Sequence, residues 1–329
     1  MSQTMTAIVF NEYGDAGVLK QQNMPIPKVT ENTIQIRVVA AAINPADISI
    51  RSGRFRLFLR LKFPFIPGAD VAGIVTQVGS DVTKFKVGDA VFAMLPTGSG
   101  GAYTEYAVIG QDDAALTPES ITYSQASAMP LAGLTALQAL RDRAKLHQGQ
   151  RVLIYGASGG VGTLAVQIAK AMNAHVTAVC STRNLEMVQN LGADAIIDYT
   201  QQSITELDQQ FDIVLDAVAL LSLQEGLNLV KRGGVMVSLN PGMGNPISKM
   251  LARLRGKRIE SLLVKPDGTD LSYLADLVDR GCLSPVIDRI YELRDAQQSH
   301  EYSETKRARG KIVLSIDDDL IEALATSKI

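Results

Sequence analysis

The run Gly156-Ala157-Ser158-Gly159-Gly160-Val161-Gly162 constrains this chain more than any other feature, because of what stands on either side of it. Residues 151–155 before it are a short apolar run of the kind a buried strand uses, and after it Val161, Leu164, Ala165, Ile168 and Ala169 fall at helical spacing. A strand that ends on glycines and opens a helix lets the backbone turn tightly. It also lets a pyrophosphate approach unpaired N–H groups at the positive end of the helix dipole. Alone, such a turn is weak evidence. Here it opens a rhythm in which 175–180, 195–198, 211–216, 234–239 and 258–264 read as further strands separated by helix-length stretches. The reading predicts an α/β fold whose doubly wound parallel Rossmann sheet holds a dinucleotide.

Upstream the pattern differs. Residues 33–42, 71–78, 90–94 and 104–108 read as short strands cut by Gly and Pro clusters, which predicts a β-rich domain. Residues 124–140 have helical apolar spacing. Beyond Lys265-Pro266-Asp267-Gly268 come a helix over 271–280 and strands over 286–290 and 311–316, with no further strand–helix alternation. We therefore expect a first part of a catalytic domain over 1–123, a dinucleotide-binding domain over 124–265, and a return to the catalytic domain over 266–329. A chain of 329 residues with 46% hydrophobic content can fill two cores. A short surface helix is expected over 317–329.

Composition narrows the partners. A net charge of −2 with 20% charged residues gives no global reason to expect nucleic acid, so a small metabolite is the better expectation. The two cysteines, Cys180 and Cys282, form no Cys-x-x-Cys pair, which argues against thiolate zinc sites and for a reducing compartment. The N-terminus shows no basic start followed by an apolar run, and no apolar stretch reaches the roughly 18 residues of a membrane span. Cytoplasm is the expected location.

The end of the second strand indicates which dinucleotide. An NAD site usually places Asp or Glu there to bond the ribose 2′-hydroxyl. This chain has Cys180-Ser181-Thr182-Arg183-Asn184 instead, whose hydroxyls, guanidinium and amide suit a 2′-phosphate. NADPH is expected over NADH, with helix capping by Ser181 and Thr182 as the competing use of those hydroxyls.

Several segments together resemble one family: Ala42-Ile43-Asn44-Pro45-Ala46-Asp47, Ile66-Pro67-Gly68-Ala69-Asp70-Val71-Ala72-Gly73, Val87-Gly88-Asp89-Ala90-Val91, Pro130-Leu131-Ala132-Gly133-Leu134-Thr135-Ala136, the glycine turn, and Gly310-Lys311-Ile312-Val313-Leu314. In order and spacing the set is similar to the zinc-independent, zeta-crystallin-like quinone oxidoreductases of the medium-chain dehydrogenases/reductases. The resemblance implies a GroES-like catalytic domain beside the Rossmann domain, and a homodimer paired around Val235–Leu239 and the segment after it. It places Asn44 and Thr135 near the nicotinamide, Ala157, Ser158, Gly159, Gly160 and Val161 at the pyrophosphate, and Ser181, Thr182 and Arg183 at the 2′-phosphate. Tyr199, Leu239, Asn240, Val264 and Lys311 are placed at the cofactor by the same resemblance. Zinc-dependent relatives carry Cys and Gly-His-Glu where this chain has Asn44 and Ala69-Asp70, so their metal ligands are missing. His147, His175 and His300 lie outside these motifs and read as surface or boundary residues.

Without a Lewis acid, the expected reaction is hydride transfer from NADPH to acceptors that spread incoming charge by conjugation, namely quinones or enones. Asn44 and Asp47 are the catalytic candidates. Asp47 and Tyr103 could serve as general acid, or solvent could supply the proton. A 2-alkenal or enoyl-thioester reductase, and a non-catalytic NADPH-binding or RNA-associating protein, remain open alternatives. Residues 51–63 alternate cations with large apolar groups, readable as a substrate entrance, a membrane-surface patch, an RNA contact or a solvated segment. Residues 249–258 read as a solvated basic helix end.

Overall fold

The computed structural model describes residues 3–317, so the expected helix at the C-terminus lies outside the described residues apart from its first position. The chain divides into two compact units, one of Met1–Leu131, Lys265–Asp279 and Pro285–Ile329, the other of Ala132–Val264 and Arg280–Ser284.

In the second unit the six predicted strands form one parallel sheet in the order Ala195–Asp198, His175–Cys180, Arg151–Tyr155, Phe211–Asp216, Val230–Ser238, Arg258–Ser261. In sequence numbering of the six this is 3-2-1-4-5-6, the Rossmann order, with its reversal point between the first and fourth strands. The inner strands are largely apolar on both faces because helices cover a parallel sheet from both sides. Leu153, Val179, Phe211, Val214, Met236 and Ile259 accordingly share one buried cluster. Two expectations change. The fifth strand begins at Val230, because Val230 pairs with Phe211 before a register shift, and the sixth stops at Ser261. Val230–Ser238 is flanked on both sides, so it cannot be the pairing edge of a dimer; the sheet's edges are Ala195–Asp198 and Arg258–Ser261, and the latter adjoins the expected segment.

The first unit is built on a mixed sheet ordered Ile287–Glu292, Lys311–Ser315, Thr33–Ile43, Asp70–Val78, Ala90–Met94, Ala114–Leu116, with Tyr106–Gly110 added beside Thr33–Ile43. Thr33–Ile43 is its axis, antiparallel to Asp70–Val78 on one side and to Lys311–Ser315 on the other. A long-range strand from the chain's end thus completes the sheet begun near its start. Ile34, Ile36, Val38, Val71, Val75, Val91 and Leu314 form its core. The strand expected at 104–108 lies two residues later, with Thr104 held as an isolated bridge to Ala7. A strand at Lys20–Pro25 has the polar sequence KQQNMP and gives no apolar signal, yet it pairs with Thr4–Val9.

The helix read over 124–140 is three pieces, Tyr123–Ser127, Pro130–Leu137 and a wide π-type stretch Gln138–Ala144. Pro130 has no N–H to continue the first helix and fits the first position of the second. The opening piece packs on Thr33–Ile43 and Asp70–Val78, so it belongs to the first unit and not to the dinucleotide unit.

Candidate functional site

Two polar constellations occur, one in each unit. In the second unit the helix Gly160–Ala171 starts immediately after the glycine turn, with Gly159 as its N-cap. Gly159 has no side chain to cap the first N–H groups, which therefore stay available to an anion. The glycines differ in why they are glycine. A Cβ on Gly162 would lie 2.2 Å from the Gly156 carbonyl oxygen, so Gly162 is required for close packing of helix on turn. A Cβ on Gly159 would meet nothing nearer than 3.6 Å, and its φ of −86° is open to any residue. Neither packing nor backbone demands glycine at 159; the space in front of it is what a bound pyrophosphate requires.

Asn184 ties this turn to the second strand. Its buried Nδ2 donates to Ser158 Oγ at 2.9 Å and to Ser181 Oγ at 3.2 Å. Its amide is thus structural rather than a phosphate donor. Neither Ser181 nor the following residues cap a helix through their side chains. Thr182 Oγ1 donates to Asp198 Oδ2 at 2.5 Å and shares a hydrogen bond with Thr200. Those hydroxyl bonds hold the partly exposed Asp198 carboxyl below the usual range, so a charged carboxylate stands at the end of the third strand beside Thr182. Sequence reading missed Asp198 because the cofactor rule looks only at the second strand. Arg183 is the remaining cation of this group.

Tyr199 is half-exposed and lines a cavity of about 370 Å³ with Tyr155, Thr200, Ile204, Leu220 and Leu221. Leu239 and Asn240 follow the fifth strand; the Leu239 N–H donates to Asp216 O, and the Asn240 N–H to Ser238 Oγ. Thr135 is buried on helix Pro130–Leu137, and Val264 closes the second unit's main segment.

In the first unit the register of the axial strand builds the second constellation. Ile43 pairs with Ile312 and Ala42 with Asp70, which brings Lys311 and Asp70 to the end of the strand, where Asn44 follows. Asn44 Nδ2 donates to Asp70 Oδ2 (2.9 Å), and Lys311 Nζ donates to Asn44 Oδ1 (2.5 Å) and to Asp70 Oδ2 (3.1 Å). All three are buried. The second Asp70 oxygen accepts the Leu131 N–H at 2.7 Å. Asn44 also precedes helix Pro45–Arg51, yet its side chain faces Asp70 and Lys311. Asp47 takes over at the helix start, accepting the Asn44 backbone N–H at 2.8 Å.

Behind Asp47 runs a buried chain. Tyr103 Oη donates to Asp47 Oδ2 (3.0 Å) and contacts His300 Nε2 (3.2 Å), whose Nδ1 faces Arg51 Nη1 (3.2 Å). Arg51 also pairs with Glu304. An arginine can only donate, so His300 Nδ1 accepts, Nε2 carries the hydrogen, and the Tyr103 proton is directed at Asp47. Burial pushes the Asp47 carboxyl up to about 7, against opposing hydrogen bonds from Asn44 and Tyr103. Burial, with Arg51 close by, pushes His300 down to about 3, so the imidazole is neutral. Burial and Asp47 together raise the Tyr103 phenol well above its ordinary value. His300 is therefore fully buried, against the expectation of a surface or boundary residue, whereas His147 and His175 are exposed. Nothing local in the sequence marks it: its partners are 197 and 249 residues away.

Comparison with known proteins fits this geometry. Residues 30–119 match the alcohol dehydrogenase GroES-like domain, and residues 191–314 match the zinc-binding dehydrogenase domain. Over 94% of its length the chain is 36% identical to the chloroplastic quinone-oxidoreductase QR1 of Triphysaria versicolor, covering 98% of that protein. The chain belongs to the quinone oxidoreductase branch of the medium-chain dehydrogenases/reductases. A second branch member, the chloroplastic NADPH-dependent alkenal/one oxidoreductase of Arabidopsis thaliana, is 34% identical over 94% of this chain and 79% of its own. The quinone oxidoreductase of Coxiella burnetii superposes with a TM-score of 0.86 at 32% identity, over 95% of this chain and 99% of that one. The protein is thus an oxidoreductase of this branch that uses a nicotinamide dinucleotide.

One domain description names zinc, but the donors here do not fit it. Among the described residues no three His, Cys, Asp or Glu side chains converge as a metal site requires. At the position in question Asn44 and Asp70 face the Lys311 ammonium, which already supplies the local positive charge. Nor is any helix among the described residues long and apolar enough to cross a membrane.

Proposed function

We propose that this protein reduces conjugated carbonyl acceptors, quinones or enones, with NADPH and without zinc. The observation that carries the reading is the ligand-shaped turn at Gly159 together with a first-unit site whose cation is a lysine. The quoted relatives support the acceptor class, since one is named a quinone oxidoreductase and the other an alkenal/one oxidoreductase. The dinucleotide, when bound, supplies the hydride.

In this reading the N–H groups at Gly160 and Val161, with Ala157, Ser158 and Gly159, receive the pyrophosphate. Thr135, Tyr199, Leu239, Asn240 and Val264 line the rest of the dinucleotide. Ser181 and Arg183 receive the 2′-phosphate; Thr182 is engaged with Asp198, and that carboxylate opposes the phosphate, so Arg183 decides the preference. Asn44 and Lys311, which are bonded to each other and to Asp70, are the residues that the resemblance assigns to the nicotinamide. Asp47 acts by positioning Asn44 through its backbone N–H, and the Tyr103 hydroxyl proton is directed at Asp47, which leaves the final proton of the product to solvent. The protein works as a homodimer in the cytoplasm. Its pairing surface is the free edge Arg258–Ser261 and the adjoining helix Pro246–Leu254, on which Ile247, Met250, Leu251 and Leu254 are exposed.

NADPH oxidation against a panel of quinones, enones, 2-alkenals and enoyl thioesters tests the reading. Turnover is expected with the first two classes. Cofactor binding with no turnover on any acceptor would favour a non-catalytic role.

A further inference from the structure

Between Asp47 and Asp70 the chain contains no carboxylate, but it contains Arg51, Arg54, Arg56, Arg60 and Lys62. Arg51 is buried and paired with Glu304. The other four are exposed, and no side-chain hydrogen bond or ion pair engages any of them among the described residues. Interleaved with them are Leu57 and Phe58, each 84% exposed, and Phe55 and Phe63, also exposed. Two adjacent bulky apolar side chains held almost entirely in water are not explained by the core.

The segment is nevertheless held in place. Leu59 and Leu61 pack on the buried cluster of the first unit, and the Phe63 ring meets Phe10 and Tyr13 edge-on at 5.8 and 5.3 Å. Backbone bonds from Arg56 to Gly53 and from Phe58 and Leu59 to Phe55 fold it into consecutive turns. Its inward groups anchor it, and its outward groups are the cations and the Leu57–Phe58 tip. Glu12 and Asp15 flank Tyr13 in the chain, whose ring meets Phe63 at the base of the segment, so even with both counted the four cations leave the patch positive.

We propose that the loop from Arg54 to Lys62 docks on an anionic lipid bilayer. Apolar tips that enter the boundary of the acyl chains, ringed by cations at the level of the headgroups, are the combination that holds a protein on a charged membrane surface. A second copy of the chain would set four cations against four on this patch, which like-charge repulsion disfavours. Nucleic acid would use the cations but give Leu57 nothing to stack on. The proposal does not depend on the reductase reading.

The test is co-sedimentation of the full chain with vesicles of phosphatidylcholine alone and of phosphatidylcholine mixed with phosphatidylserine. Binding is expected only to the mixed vesicles and is released by high salt. Removing charge in Arg54→Gln/Arg56→Gln/Arg60→Gln/Lys62→Gln should weaken partitioning roughly fivefold per cation, and Leu57→Ser/Phe58→Ser should weaken it roughly tenfold or more. All six positions are outward-facing, so thermal midpoints should match the parent and report intact folding. No binding to the mixed vesicles overturns the proposal, as does binding that neither variant changes. Retention of RNA that depends on the cations and not on Leu57 and Phe58, in place of vesicle binding, overturns it in favour of a polyanion surface.

Discussion

The glycine turn and the cluster around Asn44 are both polar, both placed at strand ends, and assembled in opposite ways. The turn is local: residues 156–162 shape it, and Asn184 fastens it from the end of the neighbouring strand. The cluster joins Asn44 to a lysine 267 residues away and continues through Asp47 and Tyr103 to His300 and Arg51. The first is a shape open to a ligand, and its energetics depend on what binds. The second is buried and matched internally in charge and protons, so its side chains hold the fold as well as standing in the proposed site. Substitutions should therefore damage binding at one and stability at the other.

The largest expected effect is at the closed cluster. Lys311→Met leaves the Asp70 carboxylate, fully buried, without its cation, and should lower the unfolding free energy by about 3–5 kcal/mol in urea titration. Adding Asp70→Asn should restore much of the loss. A Lys311→Met protein as stable as the parent would show that the Asn44 cluster does not hold the fold.

At the turn, two alanines should behave differently. Gly162→Ala forces a Cβ against the Gly156 carbonyl and should cost about 1–3 kcal/mol of stability along with cofactor affinity. Gly159→Ala has room in the protein, so its thermal midpoint should stay near the parent's while NADPH binds at least roughly tenfold more weakly, as expected where ligand and not protein fills the space. If calorimetry finds NADPH affinity unchanged in Gly159→Ala, the turn is only a turn.

The buried chain also makes a pH prediction with two opposing parts. Asp47, raised from 3.8 to about 7, binds its proton more tightly when folded, so it contributes stability at acid pH that is lost as pH rises through about 7. His300, lowered from 6.5 to about 3, contributes stability above 6.5 that is lost as pH falls toward 3. In the parent the two slopes oppose each other between about pH 4 and 6.5. In Asp47→Asn the histidine's part stands alone, and denaturation midpoints should fall steadily as pH drops through that window.

The smallest effect concerns cofactor choice. Arg183→Gln should weaken NADPH roughly tenfold and leave NADH alone, and Asp198→Asn should move NADPH affinity the other way. Equal changes for both cofactors would remove the 2′-phosphate from this corner.

Legibility in the sequence follows the same division. Strands 151–155, 175–180, 195–198 and 211–216 have the bounds that apolar runs and turn residues suggest; the three inner ones are largely buried by their own local pattern, and the edge strand 195–198 is paired along its whole length with 177–180. The fifth and sixth strands deviate because pairing, not composition, ends them: Val230 joins early through Phe211, and the sixth strand stops at Ser261. Among site residues, those of the turn were visible from spacing. Asn44 and Asp47 were visible as a motif, but their separate tasks were not, since the assignment of the cap to Asp47 and the amide to Asp70 depends on strand register. His300 and Arg51 had no signal at all, because a buried polar residue is defined by partners remote in sequence.

In the proposed function NADPH delivers hydride to a conjugated acceptor with Lys311, not a metal, as the cation of the first-unit site. Steady-state NADPH oxidation by a quinone, measured before and after exhaustive chelation and again with added zinc, tests it most directly. The same rate is expected in all three conditions. Activity lost on chelation and restored by zinc would contradict it.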